Sequence, residues 1–455
     1  MFPKHIFKAY DIRGLVEGEL SDELAYKIGR AYGVFLRERG LFDNKKWVVV
    51  GYDMRLSGIG YSQAVRTALR DEGFNVVDVG LVSTPLFNFA CAHYSDHIGG
   101  IMITASHNPA QYNGFKITMG DGTPVGKGNG MDRICELSEQ ATLAKTSQLG
   151  ELKSMNVLED YLAKIFSLVK PEEIKPLKIV LDAANGMGKV TFVEMLKRLP
   201  IQVEYLYLEP DGTFPNHEAN PLKTETLKDL QAKVVEISAD FGFALDGDAD
   251  RIGLVDENGQ VVGASSVGAL IGLEVLASSK EKNPLMYCDL RSSKIVREVW
   301  QEKGAKTALC PVGHALIKKI MKESKALFAS ELSLHLFFQE MYDVESSDLA
   351  LLYILKILSS SGKKVSELVK PFSKYFHSGE INFHITNKDE IFAQLRNKYS
   401  DAVILDFDGL HFSYPDWWFC VRTSNTEPVL RLNLEADTKE EMDKKLVEVK
   451  EIVEG

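Results

Sequence analysis

The chain holds 455 residues, 64 of them acidic and 53 basic, which gives a formal net charge of −11 at pH 7. With 45% apolar and 26% charged residues it sits at ordinary globular values, which excludes long disorder, collagen-like repeats and coiled coil. The acidic balance argues against nucleic acid and against an anionic membrane surface as partners, and the length implies about three or four domains.

The N-terminus, MFPKHIFKAYDIRG, lacks an apolar core long enough for a signal peptide, and no apolar run approaches about 18 residues. The expectation is a soluble, cytoplasmic protein. Cys91, Cys135, Cys288, Cys310 and Cys420 lie far apart with no CxxC, so free buried thiols in a reducing compartment are expected rather than a disulfide framework or a zinc site.

Four short apolar runs end in an aspartate: WVVVGYD at Asp53, KIVLD at Asp182, FGFALD at Asp246 and LMYCD at Asp289. Runs of this kind predict strands buried on both faces, as in a parallel sheet covered by helices. Helical patterns alternate with them, at Ser62–Glu72 and Thr191–Leu199, and Leu349–Leu358 reads as a buried helix. The alternation points to repeated α/β units, whose strand C-termini open onto a ligand crevice. From about residue 370 a smaller α+β domain is expected. There VLRLNLEA (Val429–Ala436) alternates like a half-exposed strand. Thr438 and Glu441 then form a capping-box pattern ahead of Met442, Leu446, Val449 and Val453 at helical spacing.

Four stretches carry candidate chemistry. In ITASHNPAQYNGFKI (Ile103–Ile117), Ser106 lies in a tight loop after an apolar strand; taken alone it and His107 read as turn residues. In Asp246-Gly-Asp248-Ala-Asp250-Arg251, three carboxylates at alternate positions cannot all stay ionised without a cation, and hard oxygen ligands favour Mg²⁺ or Ca²⁺ over zinc. An EF-hand reading fails, because Arg251 stands where the turn needs Gly and the flanks read as strands. In Arg422-Thr-Ser424-Asn425-Thr426-Glu-Pro, with Arg431 on the next strand, hydroxyls, an amide and guanidinium forks suit either an anion-binding turn or a plain surface turn. Glu331, Ser333 and His335, at alternate positions, could grip sugar hydroxyls, although among Leu and Phe they read first as satisfied core groups. Asn185-Gly-Met-Gly188-Lys189-Val190 fails as a P-loop, and the glycines from Gly120 to Gly130 never satisfy GxGxxG.

Together and in this order, TASHNP, DGDADR, the Glu-x-Ser-x-His stretch and RTSNTEP resemble the signature loops of the α-D-phosphohexomutases; FKAYDIRG (Phe7–Gly14) and DGTFPNHEANP (Asp211–Pro221) are similar to this family too. The similarity spans nearly the whole chain, and RxSNTEP with AYDIRG most resembles the phosphomannomutase/phosphoglucomutase branch. The resemblance implies an α/β protein with three related α/β domains with mixed sheets around a central cleft, plus a smaller α+β C-terminal domain. The expected divisions are 1–150, 151–257, 258–369 and 370–455.

By the same resemblance Ser106 carries the phosphoryl group. Asp246, Asp248 and Asp250 hold Mg²⁺ together with an oxygen on Ser106, and Arg251 neutralises the transferring group. Lys116 and His314 are the general acid/base candidates. Glu331, Ser333 and His335 face the sugar, and Tyr10 and Arg13 line the cleft. Arg422, Ser424, Asn425, Thr426 and Arg431 clamp the phosphate that is not reacting. The implied activity moves a phosphoryl group between C1 and C6 of mannose or glucose phosphate through a hexose 1,6-bisphosphate. The partner is a small hexose phosphate, with no nucleic acid and no membrane, and the chain is a monomer or weak homodimer. A glucosamine-phosphate mutase, a non-catalytic sugar-phosphate sensor and a metal-dependent phosphatase are the alternatives. One departure stands out: Leu334 replaces the family's Gly in the sugar loop, Ser330 precedes Glu331, and MYDVESSDLALL lacks the usual DDG-type turn, so sugar preference is where this chain is expected to differ.

Overall fold

The structure, a computed structural model, describes residues 2–140, 148–385, 387–423 and 429–454. The apolar runs do form buried strands. Trp47–Tyr52 lies between parallel neighbours Asn75–Leu81 and His97–Ile103. Val48, Val49 and Val50 are fully buried, as continuous β-branched runs between two helical layers should be. The first sheet runs, in spatial order, Ile12–Leu15, Tyr112–Met119, His97–Ile103, Trp47–Tyr52, Asn75–Leu81, Leu152–Ser154. The second runs Val261–Val262, Ile252–Asp256, Phe241–Leu245, Leu177–Asp182, Ile201–Leu206. The third runs Lys306–Cys310, Leu285–Asp289, Phe328–Ser330, Leu336–Phe338, Val344–Glu345.

These three sheets repeat one device. A strand that pairs in parallel with the strand leading into Asp53, Asp182 or Asp289 turns straight back into an antiparallel partner: His97–Ile103 into Tyr112–Met119, Phe241–Leu245 into Ile252–Asp256, and Phe328–Ser330 into Leu336–Phe338. The three turns hold Ser106, the aspartates 246–250, and Glu331 to His335. The fourth sheet is antiparallel throughout, and its hairpin Trp417–Thr423 to Leu430–Ala436 encloses residues 424–428. Three unlike chemical loops therefore occupy one topological position, repeated.

The helices match the expected periodicity with shifted ends: Gly58–Asp71, Gly188–Leu196 and the buried Ser347–Ser361. Thr438 Oγ1 accepts from the Glu441 N–H at 3.2 Å at the start of Lys439–Glu454, where Val449 and Val453 are buried. The strand Leu430–Ala436 departs from the expected half-exposure. Only Arg431 is partly open, because the helix covers one face and neighbouring residues the other. One apolar core runs through the first three units, from Val49 to Phe372. The fourth has its own core, joined to the third by a small seam of Leu290, Val312, Trp418 and Cys420.

All five cysteines are free thiols, four of them buried, and burial pushes Cys288 up to about 12. Among the described residues no helix is long and apolar enough to cross a membrane.

Candidate active site

Ser106 sits in the turn after His97–Ile103 with φ +49°, a left-handed value that costs a non-glycine residue on the order of 1–3 kcal/mol. Its N–H donates to Thr104 Oγ1 at 2.9 Å, and its hydroxyl meets Asp246 Oδ2 at 2.8 Å. The second unit's turn comes so close that a Cβ at Gly247 would lie 2.4 Å from the Ser106 carbonyl oxygen, so only glycine fits there.

Asp246, Asp248 and Asp250 are buried, and each offers an oxygen within 4.8 Å of the others. Asp246 Oδ1 accepts from the backbone N–H of Asp250 (3.0 Å) and of Arg251 (3.2 Å), which closes the loop on itself and turns the three side chains inward. Burial, then the charges of Asp250 and Asp248, push Asp246 well above the usual carboxylate range. Burial works against the other two as well, but Lys116 holds both below it, assisted at Asp250 by His335. The Lys116 ammonium bridges Asp248 Oδ2 (2.6 Å) and Asp250 Oδ2 (2.7 Å), and their charges outweigh burial and raise its pKa. Asp248 Oδ1 is buried with no hydrogen-bond partner. An orphaned carboxylate oxygen inside an all-oxygen donor set is what a hard divalent cation would fill, so the residues present fit Mg²⁺.

The third unit brings in Glu331, Ser333 and His335, held by hydrogen bonds from Glu331 N–H to His335 O and from Leu334 N–H to Glu331 O. His335 Nδ1 lies 2.8 Å from Glu331 Oε2, and Nε2 lies 3.1 Å from Asp250 Oδ1. Burial opposes a charge on this ring, but Asp250 and Glu331 raise it to about 9. The ring is then a cation donating from both nitrogens, and Arg251 Nε, 3.3 Å from Nε2, is a like-charged neighbour and not a donor to it. Ser333 Oγ sits 3.0 Å from Nδ1. These polar residues are therefore satisfied, with Glu331 and His335 buried and Ser333 partly open, yet they border the aspartates instead of filling a remote core.

His314 opens the helix His314–Ser324 with its ring 6.0 Å from His335 and 5.8 Å from Tyr10. Burial, with Lys318 and Lys116 nearby, holds it well below the usual imidazole value, so it is neutral, and its Nδ1 is buried without a partner. The Tyr10 hydroxyl donates to Val312 O at 2.8 Å. Arg13 pairs with Asp11 and donates to Asn108 Oδ1 at 2.7 Å, in the turn that carries Ser106. Arg422 and Arg431 both face Glu380, at 3.5 and 3.3 Å. Ser424, Asn425 and Thr426 lie outside the described residues.

Sequence reasoning missed three groups that the structure places here. Arg55 reaches under the Ser106 turn; Arg291 spans Asp289, Glu331 and Glu380; and Glu380 sits among three guanidinium groups. The signal for the first two was present, as Asp53-Met-Arg55 and Asp289-Leu-Arg291 are the same Asp-x-Arg pattern at two strand ends. Glu380, in a plain Ser-Gly-Glu turn, had none. A cavity of about 230 Å³ beside the turn is bounded by His107, Asn108, Thr213, Phe214 and Glu218. A larger one, about 440 Å³ between Asp78–Leu86 and Ser154–Leu158, touches none of these groups.

Four domain families match the chain in order: phosphoglucomutase/phosphomannomutase alpha/beta/alpha domain I over residues 4–145, domain II over 159–259, domain III over 264–375, and the C-terminal domain over 380–452. The chain belongs to the phosphoglucomutase/phosphomannomutase family. It is 39% identical to a phosphomannomutase of Methanocaldococcus jannaschii over 98% of this chain and 97% of that one. It is 36% identical to a phosphomannomutase/phosphoglucomutase of Pseudomonas aeruginosa, over 97% and 94%. A solved family protein from Burkholderia thailandensis superposes with a TM-score of 0.90 at 30% identity, covering 100% of this chain and 98% of that one. Family membership thus rests on the whole length of the chain, and the four signature turns fall one to each matched domain.

Proposed function

We propose that the chain is a reversible phosphohexomutase that moves a phosphoryl group between C1 and C6 of mannose or glucose phosphate. The observation that carries this reading is the meeting of Ser106 with the three aspartates: one hydroxyl, 2.8 Å from Asp246, beside a buried all-oxygen donor set. Phosphoryl transfer is mostly positioning plus charge stabilisation, and this arrangement supplies both.

Asp246, Asp248 and Asp250 would hold Mg²⁺ with an oxygen on Ser106, and the ion would neutralise charge on the phosphoryl oxygens. In the active enzyme Ser106 carries the phosphoryl group. Its P–Oγ bond breaks as a P–O bond forms to the free sugar hydroxyl, whose proton passes to the general base, giving a hexose 1,6-bisphosphate. The intermediate then turns over, and the other phosphate returns to Ser106 Oγ. Arg251 offsets charge on the group in flight. His314 and Lys116 are the acid/base candidates: the His314 ring is neutral with an unpartnered Nδ1, and Lys116 is a cation whose proton the two aspartates hold tightly, so it would donate only once their charge is offset. Glu331 and Ser333, with His335 holding Glu331 in place, meet sugar hydroxyls without a group that must read C2, which accommodates both sugars. Arg422 and Arg431, with Ser424, Asn425 and Thr426, clamp the distal phosphate. The fourth unit meets the third through a small apolar seam and polar contacts such as Arg291 to Glu380, and exchange of those polar contacts would let the clamp shift to hold either end of the intermediate.

Divisions near residues 150, 257 and 369 would give each signature turn its own unit. A cytoplasmic monomer or weak homodimer acting on a small hexose phosphate completes the proposal. The test is Ser106→Ala: turnover of mannose and glucose 1-phosphates should vanish while their binding persists, and mass spectrometry should find a phosphate on Ser106 of the native chain after incubation with glucose 1,6-bisphosphate. Undiminished turnover in the variant, or phosphate release as the main product, sinks the reading.

A further inference from the structure

The first parallel strand of each of the three α/β units leads into an aspartate, Asp53, Asp182 or Asp289, which phosphoryl transfer leaves unused. Each turns Oδ1 onto the backbone N–H two residues on: Arg55 at 3.0 Å, Ala184 at 2.9 Å and Arg291 at 2.8 Å. In the first and third units that residue is arginine, and its guanidinium folds back on the aspartate, Arg55 Nε at 3.3 Å from Asp53 and Arg291 Nη2 at 2.7 Å from Asp289. Each arginine then reaches its own unit's signature turn. Arg291 comes within 3.5 Å of Glu331. Arg55 does more, donating to the carbonyl oxygens of Ser106 (2.9 Å), Asn108 (2.5 Å), Pro109 (2.9 Å) and Tyr112 (2.7 Å).

The effect on Ser106 is specific. Its carbonyl is held by Arg55, and its N–H by Thr104 Oγ1, which itself donates to Asp53 Oδ2 at 2.6 Å. Both backbone groups of a residue in the left-handed region are therefore anchored to one Asp-x-Arg pair. Arg55 is 2% exposed, and lysine, with a single point of donation, cannot span four carbonyls. The second unit reaches the same guanidinium. The Phe214 ring lies 5.2 Å from its carbon, with Phe214 at φ +51°, and a Cβ at Gly212 would meet Arg55 Cα at 2.7 Å, so the Asp211–Phe214 turn is seated on Asp53–Arg55.

We propose that Arg55, covered by Phe214, is a positioning residue for phosphoryl transfer: the pair holds Ser106 in the backbone geometry that aims its hydroxyl at Asp246, so the second unit sets the aim of the first unit's phosphoryl carrier. The inference rests on Ser106 being that carrier. Neither side chain touches substrate or reacting atoms, so the expected signature is a fall in kcat with little change in KM.

The experiment compares Arg55→Lys, Phe214→Leu, the double variant and a core control, Phe192→Leu, whose ring packs on Phe243 in the same unit as Phe214. It reads steady-state kinetics, thermal unfolding and amide hydrogen exchange. R55K is expected to lose about 100-fold in kcat with KM within about threefold, the scale of a misplaced reacting group. F214L should lose about 10-fold. The double variant should be within about twofold of R55K, because both substitutions act through one contact. Exchange over residues 104–114 should quicken in both variants, whereas F192L should lower the unfolding temperature without moving kcat or that exchange. If R55K does not fold, F214L decides. Quickened exchange with kcat within about twofold of native overturns the positioning role, as does a loss confined to KM. Unchanged exchange in the variants overturns the brace itself. A native chain that neither accepts phosphate on Ser106 nor turns over defeats the functional reading instead, and the exchange result still decides the brace.

Discussion

Lys116 is the one side chain that joins two of the aspartates directly, and Lys116→Met removes its charge while keeping its length. Among the described residues, the cations then left in direct ion pairs with the three buried carboxylates are Arg251, 3.8 Å from Asp246, and His335, 3.1 Å from Asp250. Removing one partner of a buried ion pair costs about 3–5 kcal/mol. Because Asp246 is already pushed toward its protonated form, the lower end applies, about 3 kcal/mol. For a unit of this size each kcal/mol moves the transition by about 2–4 °C, so metal-free K116M should unfold about 6–12 °C below the native chain. A divalent cation would then restore what the ammonium supplied, and the stabilisation by millimolar Mg²⁺ should be larger for K116M than for the native chain, whose lysine already occupies two of the carboxylate oxygens. Differential scanning calorimetry in chelator and in excess Mg²⁺ measures both differences. Equal unfolding temperatures in chelator, or the same Mg²⁺ shift for both chains, would refute the view that Lys116 and the ion share these oxygens.

Three further outcomes follow from other places in the chain. Burial raises Asp348 from its ordinary 3.8 to about 6, against a hydrogen bond from the Tyr161 hydroxyl at 2.8 Å. Because the folded value lies above the unfolded one, its contribution is complete below pH 3.8 and is lost as pH rises through about 6, on the order of 3 kcal/mol in all. Unfolding of D348N against the native chain at about pH 5 and pH 7.5 should favour the variant increasingly at the higher pH, and a pH-independent difference would remove the premise. Glu380 shields Arg422 and Arg431, so E380Q should bind inorganic phosphate about fivefold more tightly by calorimetry, whereas unchanged or weaker binding would make Glu380 a support and not a competitor. Leu334 has φ +72° yet is nearly buried; Leu334→Gly relieves about 1 kcal/mol of backbone strain but loses about 2 kcal/mol of apolar burial. The variant should therefore be slightly less stable and alter the mannose-to-glucose ratio of kcat/KM, and a gain in stability would contradict that balance.

What could be read from the residues divides along a physical line. The aspartates were legible as a cation site because three carboxylates fall within five consecutive residues, and such a density between two apolar strands has few explanations; Ser106 alone reads as a turn residue, and only its resemblance to a signature loop set it apart. The repeated hairpin was not legible, since the turns that hold Ser106, Asp246 to Asp250 and Glu331 to His335 keep one topology while their sequences diverge completely. Arg55 was equally hidden, because its bonds run to residues about fifty positions away and its aromatic cover comes from another unit altogether. The strand Leu430–Ala436 misled for a related reason: alternation reports polarity, and Asn433 and Glu435 are polar yet buried, Glu435 accepting from the Lys294 N–H of the third unit at 2.9 Å.

The net charge of −11 suggested a basic cleft set into an acidic shell, and the structure refines that view. Each of the five cations expected to meet substrate already faces a carboxylate: Arg13 faces Asp11, Lys116 faces Asp248 and Asp250, Arg251 faces Asp246, and Arg422 and Arg431 face Glu380. Those cations are matched by five carboxyl groups, of which Asp246 is pushed toward its protonated form, so the metal-free cleft offers a dianionic sugar phosphate little net attraction from this set. A divalent ion on the aspartates would tip the balance by two charges at the reacting end. Displacement of Glu380 by a phosphate would free two guanidinium groups at the other. Attraction of substrate is then conditional on the cation, and the order of binding follows from the electrostatics: the ion first, the sugar phosphate second. Titration of a hexose phosphate into the Ser106→Ala chain should accordingly give much weaker binding in chelator than in Mg²⁺, and equal affinities would show that the arginines alone suffice.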